Sequence, residues 1–175
     1  IRGAIRNYLR EHSEESRAKA GKIKVGHAGT LDPLATGLLI ICTGKFTKRI
    51  DEFMAQEKEY TGTITFGAST ASYDSETPPE HTFETSHLTK ENIIKASENF
   101  IGDIQQIPPM YSAIKMDGKK LYELARKGET VEVKPRAVHI KEFELSQFEL
   151  PTVSFRIVCS KGTYIRSIAH DLGKA

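Results

Sequence analysis

The sequence predicts an α+β fold with a mixed, largely antiparallel sheet flanked by helices. Segments of alternating polar and apolar residues, typical of strands, occur in runs, of which 59–66 and 152–159 are the clearest. Segments with apolar residues at helical spacing lie between these runs at irregular intervals, whereas a parallel sheet would need strands and helices to alternate regularly. A chain of 175 residues can bury a sizeable core, and we expect one domain over residues 1–175.

The first third of the chain predicts two helices and two short strands. Apolar residues recur at helical spacing within residues 1–19 and again within 43–54, so each segment is predicted to be a helix. Residues 22–25 are a strand candidate. The apolar run Leu38 to Cys42 is short and rich in strand-forming residues, and we therefore predict a buried strand.

The remaining two thirds predict three longer strands and three helices. Residues 59–66 alternate clearly, whereas residues 67–87 are polar, acidic and interrupted by prolines, which predicts a long acidic surface loop. Thr89 is suited to cap a helix that runs to Phe100. An extended stretch is expected at 111–116 and a short helix at 121–128. Two strands are expected at 137–150 and 152–159, and a terminal helix at 165–172.

The charge distribution leaves nucleic-acid binding open and the composition gives no sign of a membrane span. Residues 1–50 hold 10 Lys and Arg against 4 Asp and Glu, and residues 111–175 hold 12 against 8. Residues 51–110 hold 3 against 11, so folding could gather the two basic thirds into one positive face.

No apolar run approaches the roughly 20 residues of a transmembrane helix, and without an export signal we expect a cytoplasmic protein.

Cysteine and histidine spacing predicts neither a disulfide framework nor a metal centre. Cys42 and Cys159 are single residues in apolar surroundings, typical of buried thiols. Zinc ligands normally occur in close pairs, and the six histidines are scattered singly. We therefore expect no metal.

One carboxylate stands in a loop that is unusually restricted in shape. Asp32 lies in GHAGTLDPLATG, residues 26–37, where glycines and a proline limit the backbone to a tight path. A rigid loop of this kind is suited to present a catalytic group, although an Asx-turn in which Asp32 caps its own loop is the structural alternative. A phosphate-binding loop is excluded because Gly37 and Gly44 are too far apart and Phe46 replaces the required Ser or Thr.

Four segments in the same order resemble the tRNA pseudouridine synthase B family. They are KVGHAGTLDPLATG, EKEYTGTITFGAST, PPMYSAIKMDGKKLYELARKG and CSKGTYIRSIAHDLG, and together they extend from Lys24 to Gly173. The resemblance implies the pseudouridine synthase fold with a central RNA-binding cleft. It implies isomerisation of a tRNA T-loop uridine, at conventional position 55, by base flipping, glycosidic-bond cleavage and reattachment through C5, without a cofactor or metal. A monomer that binds the T-arm of tRNA is expected.

The resemblance also assigns roles to individual residues. Asp32 matches the catalytic aspartate, Arg166 the arginine that pairs with it, and Tyr60 the tyrosine that stacks on the flipped base. His27 and Tyr164 match residues near the RNA. Apart from the resemblance, Lys22 and Lys24 lie just before the loop, where we expect them to contact phosphates. The structural alternatives are an exposed helix cation for Arg166, packing tyrosines, and an ordinary solvated basic face.

Two other functions are compatible with the same residues. A module of this fold could bind and remodel tRNA without isomerising it. A glycosidic hydrolase could use Asp32 with Glu57 or Glu59 as an acid–base pair. Family members carry a further N-terminal strand and further C-terminal residues, so we expect this sequence to be part of a longer chain.

Overall fold

The computed structural model describes residues 2–12, 23–116, 118–129 and 131–175 of a chain that forms two compact units, Ile1–Gln56 and Glu57–Ala175. The first unit contains α1 (Arg2–His12), β1 (Val25–His27), β2 (Ile41–Thr43), a 3-10 helix (Gly44–Arg49) and α2 (Ile50–Met54). The second contains β3 (Lys58–Thr65), β4 (Ala68–Thr70), β5 (Pro79–Thr82), α3 (Lys90–Glu98), β6 (Gly102–Gln106), β7 (Lys115–Met116), β8 (Lys119–Lys120), α4 (Leu121–Ala125), β9 (Arg136–Glu149), β10 (Thr152–Cys159) and α5 (Ile165–Leu172). Within the described ranges, every helix is too short or too polar to cross a membrane.

The first unit is built around a small antiparallel ladder. Strands β1 and β2 pair with Gly26 opposite Cys42, and two further backbone bonds, at 2.9 Å each, extend the ladder beyond both ends. A Cβ atom at Gly26 would come to 2.5 Å from Cδ1 of Ile50, so the end of the Ile50 side chain would have to move to make room for it. The absence of a side chain therefore lets α2 pack closely against β1.

Four predictions for the first unit need correction or qualification. The predicted buried strand at 38–42 is wrong: the strand covers only Ile41–Thr43, and Leu38 is 87% exposed. Its partner β1 has only three residues, so most of the apolar run has no strand to pair with. The strand predicted at 22–25 is observed at Val25–His27. The helix predicted at 43–54 is present, although its first half is a 3-10 helix. The first predicted helix ends at His12, and residues 13–22 lie outside the described residues.

The second unit is a four-stranded antiparallel sheet with helices on its apolar side. The strand order is β3-β10-β9-β6, and Ile157 of β10 lies opposite Tyr60 and Phe143 on its two neighbours. The buried cluster comprises Ile64, Ile140, Phe143, Phe155, Ile157, Cys159, Ile168 and Leu172. Because each fully buried aliphatic side chain of this kind stabilises the fold by about 1.5–3 kcal/mol, the cluster anchors both the sheet and α5. The predicted α+β class with an antiparallel sheet is confirmed.

Several smaller elements of this unit were predicted differently. The segment predicted as an acidic loop, 67–87, contains the hairpin of β4 and β5, whose strand β5 is exposed throughout. Strand β6 was not predicted at all. Thr89 does cap its helix, since its Oγ1 accepts a hydrogen bond from the Asn92 amide at 3.2 Å, but the helix ends at Glu98.

Candidate active site

Asp32 lies in an exposed loop whose ends are set by glycines. Residues 30–38 are exposed, and the Asp32 carbonyl accepts a hydrogen bond from the Ala35 amide at 2.9 Å, which closes a turn that begins at Asp32. Gly29 and Gly37 have φ values of +130° and +146°, which residues with side chains rarely adopt. The backbone of this loop therefore depends on glycine on both sides of Asp32.

Two of the predicted RNA-binding residues lie close to this loop in the first unit. His27 is half-buried at the end of β1, and its Nδ1 donates a short hydrogen bond to the Gly29 carbonyl. That bond orients the ring and leaves Nε2 for another partner. Lys24 is exposed and precedes β1, whereas Lys22 lies outside the described residues.

Arg166, in the second unit, is the centre of a polar cluster. Its Nη1 donates to the Ser72 carbonyl at 3.0 Å and lies 3.3 Å from a carboxylate oxygen of Asp74. Its Nη2 donates to the Tyr111 carbonyl at 3.1 Å. The Arg166 side chain is only 14% exposed, so the alternative of an ordinary exposed helix cation is excluded. The guanidinium joins α5 to two separate loops.

The turn that carries Asp74 is closed by its own polar side chains. Thr70 Oγ1 donates to the Asp74 carbonyl at 2.6 Å, and the Glu76 amide donates to the Asp74 carboxylate at 2.9 Å. Ser72 is fully buried, and its Oγ lies 2.8 Å from Oγ1 of Thr77. We call residues 70–77 the clasp turn. Its network holds the Asp74 carboxylate toward Arg166.

The start of α5 is fixed by a buried glutamine. Gln106 is 2% exposed, and its amide accepts from the Tyr164 backbone N–H at 2.8 Å while donating to the Tyr164 carbonyl at 3.0 Å. One turn further along, Ser167 Oγ donates to the Ile107 carbonyl at 2.9 Å. Tyr164 and Arg166 are thereby set at a defined position relative to the end of β6.

Tyr60 and its neighbour Glu59 point to opposite sides of β3. Tyr60 shares the side of buried Ile64 but is 37% exposed, so part of its ring is accessible for stacking. Glu59 accepts from Arg156 at 2.7 Å, and Glu57 accepts from Lys141 at 3.1 Å. Both glutamate side chains are more than half exposed, so these ion pairs are weak.

Comparison with known proteins identifies the family. The family described as TruB family pseudouridylate synthase (N terminal domain) matches residues 17–165. The chain belongs to the TruB family. The tRNA pseudouridine synthase B of Flavobacterium johnsoniae is 58% identical over 154 residues, which cover 88% of this chain and 67% of the relative. That of Bacteroides fragilis is 56% identical over 159 residues, which cover 91% and 68%.

Solved structures support the same fold. A chain in the crystal structure of a Cbf5–Nop10–Gar1 complex superposes with a TM-score of 0.63, covering 97% of this chain and 39% of that one at 24% identity. A chain of the archaeal box H/ACA Nop10–Cbf5 complex gives a TM-score of 0.58 at 19% identity, covering 99% and 38%. The predicted resemblance, the pseudouridine synthase fold and the isomerase class are confirmed.

The predicted site residues are distributed over both units. Tyr60, Tyr164 and Arg166 lie in the second unit, whereas Asp32 lies in the first, and the predicted pairing of Asp32 with Arg166 stays a prediction. Asp74 and Gln106 were not found from the sequence, because one acid in a polar loop and one glutamine before two prolines carry no distinctive pattern. Among the described residues, no group of three or more His, Cys, Asp or Glu side chains is placed to hold a metal ion.

Proposed function

We propose that this chain isomerises a uridine of tRNA to pseudouridine and that Asp32 is its catalytic carboxylate. The observation that carries the proposal is the exposed, glycine-bounded loop that presents Asp32 in a member of the TruB family. The curated relatives are tRNA pseudouridine synthases, and the chain spans about two thirds of their length. Activity of the whole protein is therefore part of the proposal.

The chemistry conserves atoms and electrons and needs no external reagent. The bond between N1 of the base and C1′ of the sugar breaks, the base turns, and a bond forms between C5 and C1′. The C5 proton leaves and N1 gains a proton, so the product is an isomer of uridine. Asp32 supplies the carboxylate, either by attack on the sugar or ring or by abstraction of a sugar proton, and all three routes need its ionised form.

The other predicted residues bind and orient the uridine. A uridine stacked within an RNA loop must be flipped out before its ring can react, and Tyr60 offers a partly exposed ring on which the base can stack. Such stacking contributes about 1–3 kcal/mol. Arg166 would pair with Asp32 and keep it charged, while His27 and Tyr164 would line the pocket.

The proposed substrate is the T-arm of tRNA, with the uridine at conventional position 55 as target. Lys22 and Lys24 would contact phosphates beside the catalytic loop and position the RNA without selecting its sequence. In the second unit, Lys120 and Arg126 flank the ring of Tyr122 at 5.2 and 5.4 Å, which is a further cationic and aromatic surface suited to RNA. We propose that the protein acts as a cytoplasmic monomer.

Release of tritium from tRNA labelled at uridine C5 tests the proposal directly. The full-length protein should release tritium, whereas Asp32→Asn should release none above background while its affinity for tRNA stays within about threefold. Asp51→Asn is the matched control, because Asp51 is an exposed carboxylate of the same unit and should leave the rate unchanged. Binding without release by the unmodified protein would instead support a tRNA-remodelling module, and free uracil would support a hydrolase.

A further inference from the structure

Tyr73 and His170 form a ring stack beside Arg166. Their ring centres lie 3.7 Å apart and their planes are inclined by only 11°. Tyr73 belongs to the clasp turn and stands between Ser72 and Asp74, both of which contact Nη1 of Arg166. His170 lies four residues after Arg166 on α5, so the two side chains emerge from the same face of the helix. Helix α5 therefore holds the clasp turn at two points.

The backbone of Tyr73 has an unfavourable conformation that needs support. Its φ of +62° lies in the left-handed region, which a glycine would adopt without strain. A residue with a side chain keeps such a conformation only where its surroundings enforce it. Here the Tyr73 amide donates to the Thr70 carbonyl at 3.2 Å, and the ring is held by His170. The contact of the Tyr73 ring with His170 therefore supports a backbone conformation that a glycine would adopt without such support.

Both rings of the stack are uncharged at neutral pH. Burial lowers the pKa of His170 and the nearby Lys174 lowers it further, although Asp171 opposes this change. Burial raises the pKa of Tyr73, and Asp171 raises it further. The charged groups on the other side of the turn, Arg166 and Asp74, pair with each other at 3.3 Å. The stack thus supports that pair without adding a competing charge.

We propose that Tyr73 and His170 are positioning residues whose stack fixes the clasp turn on α5 and thereby fixes the guanidinium of Arg166. The inference rests on the proposed function, because the consequence of misplacing Arg166 is a slower isomerisation. Neither ring needs to touch the RNA. Removal of the stack should therefore slow the chemical step and leave tRNA affinity unchanged.

Paired substitutions separate a positioning role from simple filling of space. Tyr73→Leu and His170→Leu remove the stack, whereas Tyr73→Phe and His170→Phe keep two facing aromatic rings. With enzyme in excess over tRNA, we expect the Leu variants to isomerise about 10- to 100-fold more slowly, with a Kd within about twofold of the unmodified protein. The Phe variants should recover most of the rate. Tyr73→Gly removes the backbone strain without restoring the ring, and it should stay slow.

An NMR measurement tests the same proposal without relying on activity. In the unmodified protein the His170 ring protons should be shifted by the ring current of Tyr73, and the Arg166 Nε–H should exchange slowly. In both Leu variants that proton should exchange at least about tenfold faster, since the turn no longer holds the guanidinium. Unchanged exchange in the Leu variants would overturn the proposal whether or not the protein is active. Inactivity of the unmodified protein, by contrast, would contradict the proposed function. Normal rates in the Leu variants or in Tyr73→Gly, or a weaker Kd with a normal rate, would also overturn the positioning role.

Discussion

At the scale of single residues, the geometry of Arg166 determines which substitutions the site can tolerate. The guanidinium reaches the Ser72 and Tyr111 carbonyls and the Asp74 carboxylate with two different nitrogens. A planar fork can serve acceptors that lie apart, whereas a lysine ammonium acts as a single point charge. Charge alone is therefore insufficient at this position.

We predict that Arg166→Lys lowers the isomerisation rate about 100-fold and the free energy of unfolding by about 1–3 kcal/mol. The reason is that at least one of the three acceptors loses its donor inside a largely buried cluster. Urea unfolding and single-turnover assays measure the two effects. Arg49→Lys is the stability control, because the Arg49 side chain is 54% exposed and a lysine can still pair with Glu52 and lie over the rings of Phe46 and Phe53. It should change the free energy of unfolding by less than about 0.5 kcal/mol. If Arg166→Lys had the same free energy of unfolding and the same isomerisation rate as the unmodified protein, the planar guanidinium would be unnecessary at this position.

The restricted loop around Asp32 could be recognised from the sequence, because its glycines and proline are visible without coordinates. The catalytic role of Asp32 comes from the family resemblance and stays a prediction. The sequence could not predict Asp74, whose importance comes from Arg166, 92 positions away along the chain. The same limitation applies to Tyr73, since a positive φ at a tyrosine is imposed by tertiary contacts and leaves no local pattern. Residues that act through distant partners become visible only when the fold brings them together.

At the scale of secondary structure, prediction succeeded where a strand has one face in the core. Strand β10 was predicted at 152–159 and is observed at Thr152–Cys159, with Val153, Phe155 and Ile157 buried in alternation. Strand β6 was missed because its sequence, GDIQQ, has one clearly apolar residue. It forms because β9 offers an unpaired edge, with Ile104 opposite Val138. A strand specified by its neighbour cannot be inferred from its own composition.

The start of α5 gives a prediction at this scale. Gln106→Met should lower the free energy of unfolding by about 2–3 kcal/mol, because the Tyr164 amide loses its partner in a buried position. Urea unfolding measures the change, and hydrogen exchange should show faster opening at Tyr164 and Ile165. Gln105→Met is the matched control, since Gln105 is the exposed neighbour in the same strand and should be nearly neutral. Equal stability of the two variants would mean that the amide does not fix the helix start.

At the scale of the whole molecule, the two units differ in how much they bury. The second unit has a four-stranded sheet and the continuous apolar cluster, whereas the described part of the first has two three-residue strands and few buried side chains. Each unit contains one buried cysteine: Cys42 is 3% exposed and Cys159 is 1% exposed. The thiols can therefore report separately on the opening of each unit.

We predict that Cys42 becomes reactive at a lower urea concentration than Cys159. Single-thiol proteins are obtained with Cys159→Ser and Cys42→Ser, and labelling rates are compared with those of the same thiols in fully unfolded chains. That comparison removes the intrinsic difference between the thiols, because burial raises the pKa of Cys159 and would by itself slow labelling of the folded state. A unit with little buried apolar surface opens at lower free energy, so at low urea Cys42 should react about tenfold faster than Cys159. If both thiols stay protected to the same urea concentration, the chain unfolds as one cooperative body, and the smaller unit must draw its stability from the larger one.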